Sequence, residues 1–420
     1  MKFLTFHGIL SNQILFHIPN QIYQNYLRVL TPGLWSYSIN FTLTSWLQAI
    51  EMADVPFYGG LVGLVFHVPL NIFFIHTLDL GYLGAAIATS LSQTIQPLAT
   101  FLYLYSTSNG KQRMYKQTGD DTLTSPTPFL TDIENAILSY EGVSQYLSLA
   151  VPGIIIISEW WASEIAIFLA GHLPSPAIGL ASMSIYQSIN SFCFMFSVGV
   201  SVACSTRVSN LLGSRDPIGA QFAANVSVAL AGAMSALLAF GLLVTPHTYF
   251  PSLFTTNDSI IEEAGATISY LSLYLIADGM QYTINGIVKG CGRQCVVMPI
   301  VIFAYWVVGL PLAYFMAFHW EKRSFILLHE NSKVFSIVIK NLPESFEGVT
   351  GLVFGMTMGT WIHFILLALI VGLNTNWSLE TEKAQARIML EQIKEADIKT
   401  KNVENGNNIL CDETTRLTSV

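Results

Sequence analysis

Nine stretches of this chain are about twenty residues or longer and predominantly apolar, at about 24–49, 56–77, 81–105, 143–170, 175–206, 218–246, 263–289, 297–319 and 349–373. A run of that length crosses the hydrocarbon of a bilayer as an α-helix. Hydrocarbon offers no partner to a backbone N–H or C=O, so each segment must satisfy its own, which a helix does. Composition agrees: 52% of residues are hydrophobic, 11% are charged, and the mean hydropathy is +0.50. The expected fold class is all-α, a polytopic membrane helix bundle. Interior prolines (Pro32, Pro69, Pro152, Pro311) are tolerated because neighbouring helices re-satisfy the freed groups. Small residues, as in GYLGAAIATS, allow close helix packing.

Loop charge orients the bundle. Lys111, Arg113 and Lys116, then Arg207 and Arg215, then Lys289 and Arg293 follow the third, fifth and seventh segments, so those loops are expected to be cytosolic. The loops near Asp79, His172 and Asn257–Asp258 carry no Lys or Arg and face away. Of the sequons, Asn40 and Asn225 fall in helices and Asn376 is cytosolic, leaving Asn257 as the acceptor. Residues 106–142 read as a polar cytosolic linker and 374–420 as a cytosolic tail, whose 380–400 region is a solvated or surface-lying helix. The start is too polar after Leu10 for a cleavable signal peptide. Cys291 and Cys295 have the spacing of a metal pair, but no His or third Cys stands near, and unpaired thiols are the plainer reading.

An internal repeat is visible. Asp54–Phe74 parallels Val297–Met316, with Pro56 matching Pro299 and Pro69 matching Pro311. Gly84 then matches Gly351, an offset longer by 25, which places an insert at 321–345. The insert is either a late addition or a retained intron. The second half has three helices (143–246) before its repeated trio, whereas the first has room for none. The expected organisation is therefore three plus six helices where a two-fold bundle has six plus six: a partial lobe at 1–105, a linker at 106–142, and a full lobe at 143–373 that includes the insert. Three N-terminal helices are expected to be missing from the chain as written. Repeats of this kind are a transporter architecture.

The chemistry lies in three carboxylates at membrane depth. Glu159 and Glu164 interrupt the fourth segment and Asp278 the seventh, and no Lys or Arg lies in the interior of any apolar segment. An ionised carboxylate in hydrocarbon costs at least about 2.5 kcal/mol, so such groups are protonated or paired, and are functional by default. Glu159 and Glu164 lie five residues apart, roughly 140° around a helix, and do not share a face. Tyr274, Asp278, Gln281 and Asn285 recur at i, i+4, i+7 and i+11, forming one polar stripe. Ser182, Tyr186, Asn190, Cys193, Ser197 and Ser201 make a second stripe, to be read either as helix–helix seam or as cavity wall. The lone histidines His67, His247 and His363 read as satisfied bundle residues. Burial and mutual repulsion favour the protonated form of clustered carboxylates, and loss of that proton creates a site for a cation. One site that takes a proton or a cation is the minimum for exchange.

No Ser-His-Asp or HExxH pattern occurs, and no G-K-[ST] follows Gly213, so neither a hydrolase nor a phosphate loop is expected. The chain is read as a non-enzyme with no cofactor, no metal and no nucleic-acid partner, acting as a monomer. Its partners are the lipid bilayer, H⁺ or Na⁺, and a small organic cation or metabolite.

SEWWASEIAIFLAG, GVSVACSTRVSNLLGSRDP, ADGMQYTINGIVKGCGRQ and AYWVVGLPLAYF, in that order, resemble the multidrug and toxic compound extrusion (MATE) family, and YLRVLTPGLWSYSINFTLTSWLQA resembles its fourth helix. The resemblance covers about 25–105 and 140–373 and is to the eukaryotic branch. It implies twelve helices in two lobes, H⁺- or Na⁺-driven export with access alternating across the membrane, and a plasma-membrane or vacuolar/organellar location. It also implies coupling and substrate acids on the seventh and tenth family helices, at positions matching Glu159, Glu164 and Asp278. Two other readings stay open: a lipid-linked oligosaccharide flippase of the same superfamily, which would favour a basic cavity, and a membrane protein that no longer transports.

Overall fold

The computed structural model describes residues 20–49, 52–106, 140–319 and 348–390. The expected insert 321–345, most of the linker 106–142, Cys411 and the tail beyond 390 lie outside the described residues. All described elements are helical. The chain divides into two compact units, with the boundary between Leu138 and Ser139.

The first unit holds α1 (Asn20–Ala49), α2 (Asp54–Ile72, prolonged by a π-helical turn Phe73–Thr77) and α3 (Gly81–Ser106). The second holds α4 (Tyr140–Ala170), α5 (Pro176–Gly213), α6 (Pro217–Val244), a short α7 (Tyr249–Ser252), α8 (Asp258–Ala266) and α9 (Ile268–Gly290). It continues with α10 (Gln294–Val301), a π-helical stretch Ile302–Gly309, α11 (Leu310–His319), α12 (Val349–Asn374) and a final helix α13 over 377–390. Helix α8 meets α9 at a 41° bend. Together these elements account for the nine apolar segments, one for one.

Six of the described helices are long and apolar enough to cross a membrane, seven if α8 and α9 form one bent span. Helices α1 and α3 have the length but a lower hydropathy, because they carry polar side chains for one another. Ser36 and Thr94 share a hydrogen bond of 2.8 Å, Asn40 Nδ2 donates to Gln96 Oε1 at 3.2 Å, and Ser90 donates to the Val29 carbonyl at 3.1 Å. Other hydroxyls bond back one turn, such as Thr31 to Leu27 and Ser38 to Leu34, so their polarity is consumed within the helix.

Two differences from the sequence expectation have plain causes. Arg207–Pro217 reads as a loop, yet α5 continues to Gly213. The reversal is confined to 214–216, where Arg215 adopts φ +64° and Asp216 caps α6 by accepting from the Gly219 N–H at 2.8 Å. The tail start, expected on a solvated or membrane surface, is instead docked. Gln385 donates to the Leu212 and Gly213 carbonyls at 3.3 and 2.8 Å, and Arg387 Nη2 donates to the Cys291 carbonyl at 3.0 Å. Those carbonyls lie at the C-terminal ends of α5 and α9, where Leu212 O also accepts from the Arg215 N–H at 3.3 Å, and α13 adds a cap to both ends. Glu380, 3% exposed, anchors the same contact between Lys383 (2.9 Å) and Arg293 (3.6 Å).

Candidate functional site

Helix α9 is the centre of the second unit and packs on α5, α6 and α12. Its approach to α5 depends on Gly286: a Cβ there would sit 2.6 Å from the Ser201 carbonyl oxygen. The polar stripe of α9 is buried and bonded end to end. Asn285 Nδ2 donates to Gln281 Oε1 at 2.9 Å, and Gln281 Nε2 donates to Asp278 Oδ1 at 3.2 Å. Asp278 Oδ2 has no partner in hydrogen-bond geometry among the described residues. The i+3 and i+4 spacings make this row possible within a single helix.

Helix α4 brings Glu159 to the same depth. Glu159 shares the lining of a hollow with Tyr274, which lies one turn before Asp278 on α9, and Tyr186 of α5 approaches from the other side of that tyrosine. Two adjoining hollows open among these groups. One is lined by Glu159, Trp160, Ser163, Gln187, Asn190 and Tyr274. The other is bordered by Tyr186, Asn190 and Tyr274 together with Ser163, Met183 and Met356. Each is small, with room for about one water molecule.

The expected residues therefore separate into groups. Glu159, Tyr186, Asn190 and Tyr274 border the hollows. Asp278 lies one turn along α9 from Tyr274, and Gln281 and Asn285 stand behind Asp278 in the bonded row. Glu164 is buried but lines neither hollow, as its 140° offset from Glu159 requires. The second stripe is both things at once. Its middle, Tyr186 and Asn190, faces the hollows. Its ends are seam: Ser182 donates to Ile260 O at 3.4 Å and Ser201 to Tyr282 O at 2.7 Å.

Further residues enter that sequence reasoning did not assign. His363 of α12 is fully buried, with Nδ1 3.5 Å from Glu159 Oε2. That is ion-pair distance but not a formed hydrogen bond, since neither ring nitrogen has a partner in hydrogen-bond geometry among the described residues. Glu159 thus has an ionisable protein neighbour, which a search for interior Lys and Arg passes over. The π-helical stretch supplies two more. Tyr305 donates to Thr360 at 3.1 Å and stands edge-on to the His363 ring at 5.6 Å, and Trp306 Nε1 donates to Ser158 at 3.1 Å. The widened turns precede Pro311, which cannot donate to a carbonyl behind it, and Leu310 N–H reaches back five residues to Tyr305 O.

Fold and site together define an integral membrane helix bundle with carboxylates, tyrosines and one histidine in its interior. The MatE family profile matches residues 145–315. Protein DETOXIFICATION 36 of Arabidopsis thaliana is 27% identical over 360 residues, covering 86% of this chain and 63% of that protein. Protein DETOXIFICATION 14 of the same plant is 26% identical over 370 residues, covering 88% of this chain and 67% of that one. The crystal structure of the eukaryotic MATE transporter AtDTX14 superposes with a TM-score of 0.73 at 24% identity, over 92% of this chain and 77% of that chain. The chain is similar to the MATE family over residues 145–315, and the relatives named above are eukaryotic proteins. It spans about 63% of the length of relatives such as DETOXIFICATION 36.

Proposed function

We propose that this chain serves secondary-active export of organic cations or metabolites in exchange for H⁺ or Na⁺, with access alternating between the two faces of the membrane. The observation that carries this reading is the buried pair of acids: Glu159 lines a hollow with Asn190 and Tyr274, Asp278 lies one turn along α9 from that tyrosine, and no Lys or Arg lines the hollow. A carboxylate in that setting stays ionised only with a positive charge beside it, whether mobile or supplied by a neighbour such as His363. A proton and a cationic substrate are alternative occupants, and exchange of one for the other couples their gradients. Tyrosine faces and hydroxyls suit a flat, delocalised cation.

In this reading Gln281 and Asn285 hold Asp278 in its orientation. The loops bearing Lys111, Arg207, Arg215, Lys289 and Arg293 are cytosolic, Asn257 lies on the opposite side, and the protein works as a monomer in a plasma or vacuolar membrane. Its lobes are a partial one of three helices at 1–105 and a six-helix one at 143–373, joined by a cytosolic linker at 106–142. The test is uptake of a cationic dye into proteoliposomes under an imposed pH gradient, then under a Na⁺ gradient. Uptake driven by either supports the reading and names the ion. Dye movement indifferent to both would end it.

A further inference from the structure

His363 lies behind Glu159, which lines a hollow, yet makes no hydrogen bond that would explain its burial. Both ring nitrogens are unbonded among the described residues, its exposure is nil, and Nδ1 faces a carboxylate oxygen that also lacks a hydrogen bond. A neutral imidazole kept for structure alone would donate to a carbonyl or hydroxyl, because an unsatisfied buried polar group costs roughly 1–3 kcal/mol. His172 does make such a contact, its Nδ1 lying 3.2 Å from the Phe168 carbonyl oxygen. His363 instead sits where a second positive charge would be welcome.

We infer that His363 is a resident counter-charge: its imidazolium occupies Glu159 when the pocket is empty, and a bound organic cation takes its place as the proton leaves the ring. This rests on the export reading above and deepens it by assigning a selectivity residue. The substrate class it selects is one whose positive charge replaces the imidazolium, and a neutral molecule of the same shape would leave the pair intact.

The groups around His363 allow this. Glu159 of α4 faces Nδ1, and Tyr305 of the π-helical stretch stands edge-on to the ring, while Asp278 and Glu164 are the other buried acids of the packed helices. These are acids and a phenol, and none of them supplies a rival cation. The step is a proton transfer: one imidazolium N–H bond breaks, the proton passes to solvent water, the ring is left neutral, and the Glu159 carboxylate pairs with the incoming cation. Imidazole is the side chain that makes this exchange near neutral pH.

The experiment is proton release on binding of tetraphenylphosphonium, a permanent cation, to the purified full chain in weakly buffered detergent between pH 5.5 and 7.5. The wild type is expected to release more protons per bound cation than His363→Gln, by up to about one, while His363→Gln still binds. Equal release in the two proteins overturns the inference and leaves the export reading standing. So does complete loss of binding in a folded His363→Gln protein, which would make the ring a direct contact rather than a competitor. His363→Asn provides the same comparison if the Gln variant does not fold. A wild-type affinity that does not change across this pH range overturns the inference with no variant at all. If the wild type binds no tetraphenylphosphonium, both readings fall.

Discussion

Trp306 donates through Nε1 to the Ser158 hydroxyl at 3.1 Å, across 148 positions of sequence. Ser158 immediately precedes Glu159, so this bond fixes the rotation of α4 at the level of the acid. Because Trp306 lies in the π-helical stretch, a local widening of one helix sets the aim of a carboxylate on another. Interhelical hydrogen bonds in membranes are worth about 0.6 kcal/mol on average and up to about 1.7.

Trp306→Phe should therefore unfold only slightly more easily than wild type. Dye transport should fall by more than that loss of stability explains. Thermal melting in detergent and transport in vesicles, measured on the same preparation, check both halves. A large melting shift with normal transport would show the bond to be structural alone.

The bonded row on α9 predicts an order of effects. Gln281→Ala removes the middle member, leaving Asn285 and Asp278 both without their partners, whereas Asn285→Ala removes only an end. Each unsatisfied buried group costs roughly 1–3 kcal/mol. Gln281→Ala should therefore be clearly the less stable of the two, as read from denaturation in mild detergent. Equal losses would mean that the row is not a functioning chain.

The two glutamates of α4 should not behave alike. Glu159 borders a hollow and faces His363, while Glu164 lines neither hollow. Glu159→Gln should abolish gradient-driven dye uptake and Glu164→Gln should leave a substantial part of it. Matching losses would place Glu164 in the pathway and require the helix to turn.

Helix α13 predicts a pattern of thiol reactivity. Burial first, and then the Glu380 carboxylate, push the Cys291 thiol up to about 11, against the pull of Arg293 and Arg387, while Cys295 is exposed. Since thiolate is the reactive form, N-ethylmaleimide near pH 8 should label Cys295 well before Cys291. The sign for stability follows. The folded state holds this proton more tightly than the unfolded one, so the contribution is complete below about 9 and is lost as pH rises toward about 11. Cys291→Ala should therefore flatten the fall of melting temperature over that range. Arg387→Ala, which uncaps α9, should lower the melting temperature at neutral pH and hasten labelling of Cys291.

Legibility in the sequence followed the range of the interactions. The nine helices and the burial of the acids were readable because the apolar runs on either side of Glu159 and Asp278 are local. The α9 stripe was readable because Tyr274, Asp278, Gln281 and Asn285 repeat at helical spacing on one chain segment. His363 was not readable, because a single imidazole in an apolar run looks the same whether it bonds its own helix or faces an acid 204 positions earlier. Trp306 and Tyr305 escaped because a π-helical stretch departs from the 3.6-residue period on which such readings depend. Docking of α13 escaped for a related reason: the groups that Gln385 and Arg387 cap are backbone carbonyls, which leave no mark in the sequence.

Proton-driven dye uptake by Asp278→Asn and Glu159→Gln proteins, in vesicles of matched protein content, bears most directly on whether these carboxylates carry the exchange. Both variants should remain folded and lose uptake under a pH gradient. Undiminished proton-driven uptake in either folded variant would contradict the role given to that acid.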